Sequence, residues 1–342
     1  EQEEEPSYEV SFAEKEEEPV VYSERVSFPD LCANLRDFML TRDINIETAS
    51  ARVLLAAEAS AKIVFLTSKN KDLLPKFVKA LSEYYGNSEV VECTDGWLTA
   101  NDILWRQQDT RFVPSAFANM LHSATVAKDK QHFIVINNVS FTNLGLYFGN
   151  FIDYANHPTE EHNLKLNDTV LRLPDNVVYI LVPQDGLLES IPSEMMNGSI
   201  GAEVLISDAI ETPAEAVEPK VVSKEDFEEL LKTAKEECFI DEDVWKKVDA
   251  LAENISASEK FAIGNKNTLM MESFSSVIMD CGGDEADAVV NVFLAKLVYI
   301  LKNTHMYKND GCEQAVFALI EKLFADEDLT KIQRALTKIV KE

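Results

Sequence analysis

Lys62-Ile63-Val64-Phe65-Leu66-Thr67 is a short apolar run with β-branched residues, the pattern of a strand buried on both faces. The loop 68–72 and a helix expected over 73–85 complete a strand–loop–helix unit. Further out, apolar runs at 89–92, 133–136, 177–182 and 203–206 read as strands, with helices at about 114–126 and 142–155 between them. Upstream, Leu31, Leu35, Phe38 and Met39 recur at helical spacing behind Pro29, a residue suited to a first helical turn. A second helix is expected over 46–60, with Ile46, Ala49, Val53 and Ala57 as its apolar stripe. Alternating strands and helices argue for an α/β core with a parallel sheet covered on both faces.

The flanks differ from this core. Residues 1–28 are dominated by Glu, which predicts an acidic, solvated tail or linker. Two apolar islands in it, 8–12 and 20–22, alternate like edge strands. The core is expected over 29–208, a Pro-, Ala- and Glu-rich linker over 209–222, and an all-helical C-terminal domain over 223–342. Ser223 with Asp226 forms a capping-box-like start. Helices are expected at about 241–254, 266–281, 284–303, 311–324 and 327–341, with Gly282-Gly283 closing one of them. The 284–303 helix is apolar around much of its circumference and should be internal.

Composition excludes several function classes. The 342 residues carry a net charge of −28, and no basic stripe opposes that field, so direct nucleic-acid binding is disfavoured. A basic protein partner, or solubility, is the simpler use of the charge. No apolar run approaches the ~20 residues of a membrane span. No basic and apolar leader opens the chain, which points to the cytoplasm. Five scattered cysteines without a C-x-x-C pair read as reduced thiols. His157 and His162 lack a third donor for a metal and read as solvated loop residues. Trp97 and Trp105 suit either a partner surface or the core.

The order and spacing of several segments resemble McrB-like AAA+ proteins, relatives of the GTP-cleaving subunit of methylcytosine-specific restriction systems. The resemblance runs from about 46 to 303. It rests on Val90-Val91-Glu92, Trp97, Asp102-Ile103-Leu104 and 111–117. Phe133-Ile134-Val135-Ile136-Asn137-Asn138, 147–151, Leu173–Ile180, 261–266 and 281–286 extend it. It implies an AAA+ P-loop NTPase-like core with a lid-like helical domain, ATP or GTP with Mg²⁺ as cofactor, and ring-type contacts between subunits.

The chemistry implied by that resemblance is eroded. A phosphate loop needs glycines so that backbone N–H groups can close on phosphate, a Lys for the β/γ-phosphates and a Ser/Thr for Mg²⁺. Here Ser68, Lys71 and Leu73 stand at the glycine positions, Leu74 at the Lys and Pro75 at the hydroxyl. The second-strand motif, which normally supplies a metal-holding Asp and a water-polarising Glu, reads Asn137-Asn138; amides are poor general bases. The sensor Asn position falls near Gln184, the subunit-bridging Arg aligns with Asn197, and a helical-domain Arg aligns with Lys266. Lys69 and Lys71 beside a helix start could hold an anion, although solvated loop lysines are the simpler reading. Together these losses predict a non-catalytic AAA+-fold assembly or regulatory module that uses no cofactor. Its expected partner is a protein, its own copies or an active AAA+ subunit. The alternative is a nucleotide-binding subunit active only in a complex or as part of a longer tandem protein.

Overall fold

The structure, a computed structural model, describes residues 7–8, 20–24, 26–87, 89–108, 111–157, 162–166, 169–184, 195, 197–210, 216–257, 265–303 and 312–341. Along the chain come β1 (Ser7–Tyr8), α1 (Phe28–Leu40), β2 (Ile44–Ile46), α2 (Thr48–Ser60), β3 (Ile63–Thr67), α3 (Leu74–Tyr84) and β4 (Val91–Glu92). Next are α4 (Ala100–Leu104), β5 (Trp105–Gln108), β6 (Arg111–Pro114), α5 (Ala116–Val126), β7 (His132–Val139) and α6 (Leu144–Asn156). A hairpin, β8 (Asn163–Leu166) and β9 (Thr169–Arg172), leads to β10 (Val177–Pro183), β11 (Ser199–Glu203) and β12 (Ile206–Asp208). The helical part holds α7 (Lys224–Glu237), α8 (Glu242–Ala257), α9 (Asn265–Asp280) and α10 (Glu285–Val292). A π-helical turn at Phe293–Leu297 then leads into α11 (Val298–Asn303), α12 (Cys312–Leu323) and α13 (Thr330–Lys341).

The central sheet has the order β11-β3-β10-β7-β4, with every pairing parallel. All residues of β3 and β10 are buried, which is why both read as continuous apolar runs. Against β10 lies an aromatic cluster from α5 and α6. Phe148 stacks on Phe151 at 4.6 Å, and Tyr179 meets both edge-on at 5.5 and 5.3 Å. Asn176 turns its side-chain amide onto the carbonyls of Ala124, Ala127 and Lys130 at 2.9–3.1 Å, closing the C-terminal end of α5.

Three expectations need correction. The strand expected at 203–206 is β11, which starts at Ser199; Ile206 instead belongs to β12, antiparallel to β2. The segment Ser199-Ile200-Gly201-Ala202 carries too little β-branched signal to announce itself. Ile46, expected in the second helix, lies in β2, where burial alternates with period two; Glu47 is the N-cap of α2. The first helix begins at Phe28 and not at Pro29, so the tail ends one residue sooner: Ser27 and Asp30 form a reciprocal capping box, and Phe28 is fully buried.

Two described residues of the acidic stretch are paired. Ser7 and Tyr8 pair in parallel with Arg111 and Phe112, adding β1 to the open edge of the β5–β6 hairpin. The rest of the first island lies outside the described residues. Residues 216–222 of the linker are docked rather than free. Asn34 receives Lys220 N at 2.9 Å and donates to Glu218 O at 3.0 Å, and Ser23 N donates to Val221 O at 2.8 Å.

In the helical part, Ser223 Oγ accepts from Asp226 N at 3.0 Å and starts α7. Gly282 ends α9 at φ +84°, a conformation strained for other residues, and Gly283 N returns to Ile278 O at 2.9 Å. The expected 284–303 helix is internal but interrupted by the π turn, which carries the fully buried Lys296. Helix α2 packs against α9 on one side and β11 on another, and is buried from Val53 through Glu58. Cys32 in α1 and Cys281 after α9 are close neighbours, so these two cysteines are not scattered in space.

Candidate functional site

In a parallel α/β sheet, ligands bind beyond the carboxyl ends of the strands, where neighbouring crossovers leave in opposite directions. Here that place lies beyond β3, β10 and β7. The loop after β3, the amides at the end of β7 and Gln184 after β10 meet there. Leu181 pairs with Phe65, Pro183 with Val139, and Gln184 N donates to Val139 O at 3.0 Å.

The loop closes on itself. Ser68 is buried, and its Oγ accepts from Asn70 N at 3.2 Å. Asn70 Oδ1 then accepts from Leu73 N at 3.3 Å, and Asn70 O accepts from Leu74 N at 3.2 Å. The Asn70 amide nitrogen reaches Ile206 O at 3.3 Å, tying the loop to β12. Three backbone N–H groups that an anion would need are thus consumed internally. Asn70, which residue-type matching passes over, organises the loop. Leu74 is buried, Leu73 packs on the core, and Pro75 occupies the first turn of α3, where a missing N–H costs nothing. Lys69 is exposed and pairs with Glu203 at 3.4 Å; Lys71 is exposed. Asn70→Ala is expected to lower stability by about 1–2 kcal/mol through the orphaned N–H groups, measured by urea denaturation. A neutral result would mean that the loop does not depend on this residue.

At the end of β7, Asn137 donates its amide to both carboxylate oxygens of Glu92 at 3.0 and 3.1 Å. Asn138 adopts φ +59°, tolerable for Asn, and donates to Cys93 O at 3.5 Å. Phe141 turns back to meet Phe65 of β3 edge-on at 5.4 Å. Glu92, quoted above as part of a strand and of the resemblance, is thus the carboxylate that holds the Asn137 amide. Its signal was the acidic residue ending β4.

Asn197 and Lys266 are not part of this crevice. Ser199 pairs with Ile63 at the start of β3, so Asn197 stands at the opposite end of the sheet, ~15 Å away at strand rise. There it accepts from Asn267 Nδ2 at 2.9 Å. Lys266 donates to Ala155 O, and burial holds its ammonium down to about 8. Gly198 is required between them, because a Cβ would lie 2.7 Å from Asn156 Oδ1 and 2.9 Å from the Ala155 carbonyl. Residues 185–194, Met196 and 258–264, the last including most of the 261–266 segment of the resemblance, lie outside the described residues.

Other candidates have structural partners. His157 and His162 both face Asp153, at 3.1 and 3.4 Å. Trp105 is buried, and Trp97 packs edge-on against Tyr147 at 5.4 Å. Among the described residues, no group of three or more His, Cys, Asp or Glu could hold a metal, and no helix is long and apolar enough to cross a membrane.

No family model matches the chain, and no curated protein matches it. Among solved structures it is similar to a "putative ATPase" from Cytophaga hutchinsonii ATCC 33406. The TM-score is 0.52 at 10% identity, covering 86% of this chain and 94% of that one. At that identity the likeness is one of fold. The shared fold is an α/β core with a five-stranded parallel sheet, followed by a helical part.

Proposed function

We propose, from an AAA+-type fold whose phosphate loop is sealed, that this chain is a non-catalytic relative acting as an assembly or regulatory module. The observation that carries this is the loop: Asn70 and Ser68 occupy the backbone donors, and Leu74 fills the position of the phosphate-binding Lys. Phosphoryl transfer depends almost wholly on positioned donors, metal and base. A loop whose N–H groups are spent, beside amides in place of acids, supplies little of this. The expected partner is a protein, either an active AAA+ subunit or further copies of this chain, with the −28 charge favouring a basic face. The expected cofactor is none.

A calorimetric titration of the full chain with ATPγS and GTPγS, each with Mg²⁺, tests this. No heat and no shift in melting temperature are expected. Micromolar binding, or hydrolysis above a buffer control that a loop variant abolishes, overturns the reading. One observation favours a second reading as a McrB-like nucleotide-binding subunit completed by a partner: Glu92 places a carboxylate beside Asn137. Nucleotide binding lost in Glu92→Gln would support that reading.

A further inference from the structure

A cavity of about 230 Å³ opens at the end of the sheet opposite the phosphate-loop crevice, where β7 begins and α3 ends. Its apolar walls include Leu31, Leu35, Leu55, Tyr84, Phe133 and Phe227, and linker residues 218–222 form one side. The volume suits a compact organic molecule: an engineered cavity of about 150 Å³ already holds benzene, so a ring with a short arm fits here.

One feature of the lining is not apolar. Glu58 of α2 is 3% exposed and borders the cavity. Its Oε1 accepts a hydrogen bond from the Tyr85 hydroxyl. A carboxyl in such surroundings is costly unless paired. The other charged groups of the lining, Lys130, Glu218 and Lys220, are partly or fully exposed and stay hydrated. Glu58 is therefore the one buried charge site that an occupant would meet, and the strongly negative chain attracts cations.

We propose that this cavity is a binding site for a small lipophilic amine, whose ammonium pairs with the Glu58 carboxylate while its apolar body lies among the leucines and Phe133. The site is independent of the phosphate-loop crevice. Burial pushes the Glu58 carboxyl up to about 8, so at neutral pH it holds a proton in the empty cavity. An incoming ammonium stabilises the carboxylate, and one proton leaves to solvent for each amine bound.

Phenethylamine and its neutral analogue phenethyl alcohol, titrated into the full chain at pH 7 in two buffers of different ionisation enthalpy, test this. The amine is expected to bind about tenfold or more tightly than the alcohol, the worth of a charge-assisted hydrogen bond, with release of about one proton. Glu58→Gln should remove that preference, and Leu55→Trp, which fills the cavity, should weaken both ligands. If Glu58→Gln fails to fold, proton release by the unmodified chain and the Leu55→Trp comparison still decide. Equal binding of amine and alcohol, no binding of either, or an unchanged preference in Glu58→Gln overturns the proposal. So does amine binding that appears only after deletion of residues 1–19, since the chain's own N-terminal segment would then be the occupant.

Discussion

Replacing Glu58 by Gln is expected to stabilise the fold at pH 8 by on the order of 4 kcal/mol, with little change at pH 4.5. The folded carboxyl titrates near 8 instead of 4.5 because burial disfavours its charge, while the Tyr85 hydrogen bond pulls weakly the other way. Between those pH values the folded chain keeps a proton that the unfolded chain has released. Stability therefore falls as pH rises through that window, by up to about 1.4 kcal/mol per pH unit, and levels off above it. Gln retains a partner for the Tyr85 hydroxyl and carries no titration. Other groups slope in the opposite sense, among them Lys62 and Lys266, both held down to about 8. His132, held down to about 4, adds stability as pH rises toward 6.5, and Lys296, held down to about 7, adds it from there toward 10.5. The difference between variant and unmodified chain cancels them all. Urea unfolding at several pH values from 5 to 8 measures it, and a difference that does not grow across that range refutes the expectation.

Phe148→Ala is expected to cost about 3–5 kcal/mol, the range for deleting a fully buried ring. Phe148 is 0% exposed, stacks on Phe151 at 4.6 Å and meets Tyr179 of β10 at 5.5 Å. Its removal strips α6 of one of the two rings that press it on Tyr179 of the sheet. Neither neighbour can relax freely, since Phe117 also packs on Phe151 at 5.2 Å. A midpoint shift in urea unfolding with an unchanged slope would give the value. A loss below about 1 kcal/mol would mean that the cluster repacks around the gap.

The sheet was legible wherever a strand is buried on both faces, as β3 and β10 are, because such strands must be continuously apolar. It was illegible where small residues do the work. Ser199, Gly201 and Ala202 form β11 with almost no propensity signal, and Ile44 and Ile46 hide a two-stranded ribbon inside what scans as a helix. The loop positions Ser68–Pro75 and the amides at 137 and 138 were placed by the spacing of the family that the chain resembles, which carries no information about their contacts. The role of Asn70 was not legible, because it depends on a side chain folding back over backbone donors. Asn197 and Lys266 were placed by their order along the chain, which says nothing about the end of the sheet at which a residue emerges. Glu58 is one acidic residue among 60 in the sequence, and only its surroundings distinguish it.

Helix α2 lies between β11 and α9 and is buried from Val53 through Glu58. Its side chains therefore serve the sheet and the helical part at once. Domains that share a core in this way melt together. Calorimetry should show a single endotherm whose van't Hoff and calorimetric enthalpies agree. A chain cut within 209–222 would leave α2 with an uncovered apolar flank, and neither fragment would hold its fold alone.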